Sequence, residues 1–146
     1  MLIEIKVKKT TIIDGKTRKK TETFVIDKEF FSEAEYAVTA EMTSDVTVEE
    51  FSIQSLRISP IKEIATQFEG NSTFIATLKD IFHEDDGTEK SIRYKVLLWA
   101  DNLQEATSDI HQLARQGYDM LIEGVKEVDY IYLGGQDNGA GEAVEE

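Results

Sequence analysis

The 146-residue sequence contains no cysteine. That absence excludes disulfides, thiolate metal sites and a cysteine nucleophile. Nor is there an apolar run near the roughly 18 residues that a membrane-crossing helix needs, so no membrane partner is expected. The N-terminus, "MLIEIKVKK", alternates where a secretory segment would be continuously apolar, which predicts no export signal and a cytoplasmic location. Proline occurs once, at Pro60, and tryptophan once, at Trp99. Cations are the minority charge, with 16 Lys and Arg against 29 Asp and Glu and a net of −13. What remains, 40% hydrophobic and 31% charged residues, is the composition of a soluble globular domain long enough to bury a core.

The charge is uneven. Residues 1–28 hold eight cations and four acids, and the other 118 hold eight cations and 25 acids. A chain this acidic opposes long-range attraction to nucleic acid, yet it leaves room for a local basic patch.

A shift of 72 residues aligns the chain with itself. Asp14-Gly15 falls on Asp86-Gly87, and Glu33-Ala34 on Glu105-Ala106. "TETFVID" and "YKVLLWA" read as corresponding extended segments. Ala34, Val38 and Met42 have the helical spacing of Ala106, Ile110 and Ala114, and "FSIQSLRI" falls on "EGVKEVDY". Each copy therefore reads β-β-α-β. The fold class expected is α+β: a tandem duplication of this unit, forming antiparallel sheet with both helices on one side.

Local signals place the elements. In the first strand, near 2–12, Ile3, Ile5 and Val7 share one face while Glu4, Lys6 and Lys8 share the other. Asp14-Gly15 supplies the positive-φ turn to a second strand near 19–27. Ser32 with Glu35 predicts a capping box, stapled by Phe31 and Tyr36. Asn102 with Glu105 starts the second helix, 102–116, which Gly117 would end. "SPIKEIATQFEGNSTF" suits a strand, the reading adopted for 61–69, or a short helix with Pro60 at its first position. Residues 1–133 are read as one domain, with repeat units of about 1–60 and 72–133. The segment 134–146, Gly-rich and acidic, lacks the apolar surface that would order it.

The stretches "FVIDKEFFSEAEYAV", "FSIQSLRISPIKEI" and "HEDDGTEKSIRYKVLLWADNLQEATSDI" resemble a family of small proteins from gut anaerobes and their phages, grouped as a domain of unknown function. The resemblance covers about 1–132. It implies no assigned activity, so it supplies no catalytic residue.

Candidate chemistry is sparse. "IIDGKTRKK" ends like a phosphate-binding loop, but it lacks the upstream glycine and leads into a strand. The acidic counterpart "HEDDGTEK" sets Glu84, Asp85 and Asp86 in succession, so their side chains diverge where a calcium loop needs alternate ligands. His83 and His111 lack zinc-ligand spacing, and no nucleophile elbow is present. A non-enzymatic protein without cofactor or metal is expected.

One pattern points to a partner. Lys6 and Lys8 lie on the polar face of the first strand, and Lys16, Arg18, Lys19 and Lys20 surround the turn. Arg93, Lys95 and Trp99 share one face of "SIRYKVLLWA". Cations along a phosphate backbone and an aromatic platform for a base are the requirements of single-strand binding. The Gly-rich acidic tail is similar to those of bacterial and phage single-strand binding proteins, where it recruits partners and competes with DNA. The expectation is thus a phage- or mobile-element-type accessory factor for single-stranded nucleic acid. Its rival is a protein–protein adaptor or inhibitor whose acidic surface or tail meets a protein partner.

Overall fold

A computed structural model describes residues 1–116 and 120–134. Gly117 and the tail from residue 135 lie outside the described residues, so the expectations for the helix stop and for the tail do too. The fold is α+β, with eight strands in two four-stranded sheets and two helices among the described residues. The sequence reading set both helices against one side of antiparallel sheet. Here each sheet has its own helix, and the chain divides into two compact units, Met1–Ser59 with the segment from Asp129, and Pro60–Val128.

Unit 1 contains β1 (Leu2–Ile13), β2 (Lys16–Asp27), α1 (Phe31–Ser44), β3 (Val48–Ile58) and β8 (Tyr130–Leu133). Strands β1 and β2 run unbroken to the turn, because Asp14 (φ 53°) and Gly15 (φ 75°) close a two-residue loop whose twist matches the strands. The sheet order is β3-β1-β2-β8, antiparallel except for β8, which runs parallel to β2. The predicted alternation holds: Ile3, Ile5 and Val7 are fully buried with Phe24 and Ile26, against Ala34, Val38 and Met42 of α1.

Unit 2 repeats the plan with β4 (Ile61–Ile64), β5 (Ser72–His83), β6 (Glu89–Ala100), α2 (Leu103–Gln116) and β7 (Met120–Val128), in the order β4-β6-β5-β7. Its core is Phe74, Ala76, Leu78, Val96, Leu98 and Ala100 against Ala106 and Ile110. Of the segment read as strand, 61–69, only Ile61–Ile64 is one, parallel to β6, and Thr66-Gln67 form a turn. Gly70 follows because a Cβ there would lie 2.2 Å from the Ala100 carbonyl carbon.

Two sequence readings change. Ser32 is not the cap: α1 begins at Phe31, and the Glu33 carboxylate accepts from the Phe30 N–H at 3.2 Å. In α2, Glu105 likewise accepts from the Asp101 N–H at 3.3 Å, while Asn102 Oδ1 accepts from the Glu105 N–H at 2.8 Å. Phe30 and Asn102 are 72 residues apart, as are the two helices throughout, so the repeat is more regular than the Ser32 reading implied. The Phe31–Tyr36 staple is also absent. Five residues of helix put the two rings on different sides, and Tyr36 is 77% exposed.

The short strands do not stay with their own repeats. β4 follows β3 but joins β6, and β8 follows β7 but joins β2. The second copy's sheet is therefore completed by a strand from the segment between the copies, and the first copy's sheet by the last strand of the second.

Candidate nucleic-acid interface

The β1–β2 ladder is regular over its whole length, with Leu2 opposite Asp27 and Ile13 opposite Lys16. Register partners share a face, so side-chain direction follows directly. The face away from α1 carries Lys6, Lys8 and Thr10 on β1 and Lys19, Thr21 and Thr23 on β2. Ser52 and Ser55 of β3 continue it on one side, and Tyr130 of β8 on the other. Lys6 pairs with Thr23, which pairs with Tyr130, so three cations, Lys6, Lys8 and Lys19, and an aromatic ring stand on one side of the same sheet. Lys6 and Lys8 are exposed, about 7 Å apart by strand geometry. Lys8, Thr10, Lys19, Glu50, Phe51 and Ser52 line a shallow depression of about 320 Å³.

The basic turn is split by the same alternation. Lys19 joins the Lys6 and Lys8 face, whereas Lys16, Arg18 and Lys20 point to the α1 side. Lys20 is partly committed there: the buried Glu22 carboxylate meets Lys9 Nζ at 2.8 Å and Lys20 Nζ at 3.7 Å. Lys6, Lys8, Lys16, Arg18 and Lys19 have no ion pair among the described residues.

The inner end of the face is closed. Val25 is fully buried, and Glu4, 6% exposed, accepts from Arg57 at 2.7 and 3.0 Å and from Ser59 Oγ at 3.4 Å. The Glu4 hydrogen bonds raise the Arg57 pKa. Partial burial, reinforced by the Glu4 charge, raises that of Tyr130, whose phenol is neutral at physiological pH.

Arg93, Lys95 and Trp99 belong to unit 2, on the β6 face away from α2. Lys79 of β5 shares that face opposite Arg93. Arg93 is engaged, its guanidinium donating to Glu123 through Nε at 2.5 Å and Nη2 at 3.2 Å. That fork raises the Arg93 pKa and lowers that of Glu123. Leu97 and Ile75, beside Lys95, are buried, and Lys95 and Trp99 are half-buried. The nine sequence candidates therefore form two sets: six on the unit 1 hairpin, with Lys6, Lys8 and Lys19 on a common face, and three on β6.

Elsewhere the acidic turn is largely self-satisfied. Asp86 accepts from the Thr88 N–H at 2.8 Å, and Lys90 meets Glu84 at 3.1 Å. No group of three or more His, Asp or Glu able to hold a metal occurs among the described residues. No helix among them is long and apolar enough to cross a membrane.

Sequence reasoning missed Tyr130. The alternation "YIYL" at 130–133 signals a strand with both tyrosines on one face, but a four-residue strand does not reveal which sheet it will join. No curated protein and no solved structure matches the chain. A family model described as "Domain of unknown function (DUF4494)" matches residues 1–132, and the chain belongs to that family.

Proposed function

We propose that the protein is a non-enzymatic binding protein that holds single-stranded nucleic acid on the open face of unit 1. The observation that carries this reading is the concentration, on one hairpin of a chain whose net charge is −13, of cations without carboxylate partners among the described residues. Acids are abundant enough to neutralise them, and Lys9, Lys20, Arg57, Lys90 and Arg93 are all paired. Lys6, Lys8 and Lys19 would follow phosphates, while Tyr130 would stack a base and the neighbouring threonines and serines would hydrogen-bond to the backbone. Stacking on a flat sheet needs an unpaired base, which favours a single strand over a duplex. The rival adaptor reading requires no affinity for nucleic acid.

Fluorescence anisotropy of a labelled oligothymidylate tests it. Binding is expected at micromolar protein and about 50 mM salt, with a negative dependence of log K on log salt. Changing Lys6, Lys8 and Lys19 together to Gln should lower that slope by about 2, since each single-strand phosphate contact contributes about 0.7. Tyr130→Ala should cost roughly 1–3 kcal/mol of binding with the slope unchanged. Trp99→Ala, read the same way, asks whether the unit 2 face takes part. No anisotropy change for the unmodified protein would overturn the reading in favour of the adaptor.

A further inference from the structure

Unit 1 is polarised across its sheet. Its open face is basic, whereas α1, on the other face, turns aromatic and acidic side chains outward. Helical spacing sets Tyr36 and Ala40 on the side away from the buried Ala34, Val38 and Met42, with the half-buried Ala37 on the flank between. Tyr36 is 77% exposed, and Phe30, at the helix start, is 60% exposed. Tyr36 and Ala37 line an open depression of about 470 Å³ with Lys28, Ser32 and Glu33.

The fold does not require this apolar surface. At the corresponding positions of α2 stand Ser108, Asp109 and Gln112, with Asn102 in place of Phe30. The same helix, on the same kind of sheet, is polar outward in one copy and aromatic in the other. An exposed aromatic ring beside an open depression and small side chains suits a contact surface. The surround is acidic: Glu29, Glu33, Glu35 and Glu41 are exposed and have no ion pair among the described residues. Lys28 is the one cation in residues 27–46.

We propose that the outward face of α1 docks a basic, amphipathic segment of a partner protein. Its apolar side chains would cover Tyr36, Ala37 and Ala40, and its Lys or Arg side chains would meet the glutamates and the Tyr36 ring. Charge decides between occupants. A nucleic acid would bring phosphate against four carboxylates, and a second α1 would set glutamates against glutamates. The small side chains of Ala37 and Ala40 admit close backbone approach beside the ring. Because α1 and the Lys6–Lys8 face lie on opposite sides of one sheet, this inference stands independently of nucleic-acid binding.

The test titrates the full-length, ¹⁵N-labelled protein with a synthetic helical Leu/Lys peptide, then with its Leu/Glu counterpart. The Leu/Lys peptide should shift amides of residues 28–43, and the Leu/Glu peptide should not. Tyr36→Ser and Ala40→Gln, which copy the α2 surface, should together weaken binding at least about tenfold, the scale of losing an interface anchor. Both positions are exposed, so Tm should be unchanged, and oligothymidylate affinity should be unchanged too. Equal binding by the double variant would mean general attraction to an acidic chain and would overturn the proposal, as would shifts centred elsewhere. A dimer seen by sedimentation and abolished by Tyr36→Ser would assign the face to a second copy and overturn it equally.

Discussion

The two units share a skeleton and differ in almost everything they show to solvent. Ile3, Ile5 and Val7 correspond to Phe74, Ala76 and Leu78, and each trio is buried under a helix that presents three small or medium apolar residues. The outward positions have diverged. The unit 1 turn is basic and, among the described residues, largely unpaired, whereas the unit 2 turn is acidic and bridged by Lys90–Glu84. Even the edge of the core differs: the buried Glu22, held by Lys9, occupies the place that Tyr94 fills in unit 2. Duplicated chains keep the residues whose loss leaves a cavity and are free at positions where water can substitute.

The sharpest way to break the comparison is Gly70→Ala. Its Cβ would overlap the Ala100 backbone, which cannot rotate away as a side chain would. The expected loss is at or above the upper end of the roughly 1–3 kcal/mol typical of overpacking, read from urea denaturation. Unchanged stability would show that the link into β5 relaxes freely.

The two hairpin turns differ in length: Asp14-Gly15 is a two-residue loop with both residues at positive φ, whereas residues 84–88 form a five-residue loop in which Gly87 alone has positive φ. Gly15 and Gly87 have φ of 75° and 86° and open space where a Cβ would go, so only backbone strain is at stake. Gly15→Ala and Gly87→Ala should each cost about 1–2 kcal/mol. Unchanged stability in either variant would mean that its turn relaxes to another backbone conformation.

The smallest effect is electrostatic. The Arg93 hydrogen bonds lower the Glu123 pKa from its ordinary 4.5. A depressed folded-state pKa contributes stability above the unfolded value and loses it as pH falls through the folded one. The contribution should therefore fade only in acid, below about pH 4.5, and it should be small for so exposed a pair. A carboxyl NMR titration should place Glu123 below the ordinary glutamate range and return it there in Arg93→Gln. An unmoved Glu123 in that variant would remove the argument that Arg93 is committed to its neighbour.

The legible features were those with local causes. Asp14-Gly15 specified its turn because a two-residue hairpin needs positive φ at both central positions. Alternation in "LIEIKV" specified the buried face because a strand side chain has only two directions. The 72-residue offset was readable because turn, cap and helix spacing recur together. The α1 cap was misplaced because Ser32 and Glu35 satisfy the composition of a capping box two residues inside the helix, while the carboxylate that caps the chain, Glu33, looked like an ordinary helix acid.

By itself, then, the sequence determined the long strands, the two helices, the repeat and the faces of β1 and β6, which follow from the spacing of neighbouring residues and its recurrence along the chain. Tertiary structure alone decided which sheet the four-residue strands complete and which cations keep their charge unpaired. Ile61–Ile64 and Tyr130–Leu133 are too short to carry register information, and their partners, Lys95–Leu97 and Thr23–Ile26, lie far away in the chain. Arg93 and Lys8 look alike on paper; they differ because Glu123 comes within hydrogen-bond reach of one, and no described carboxylate pairs with the other.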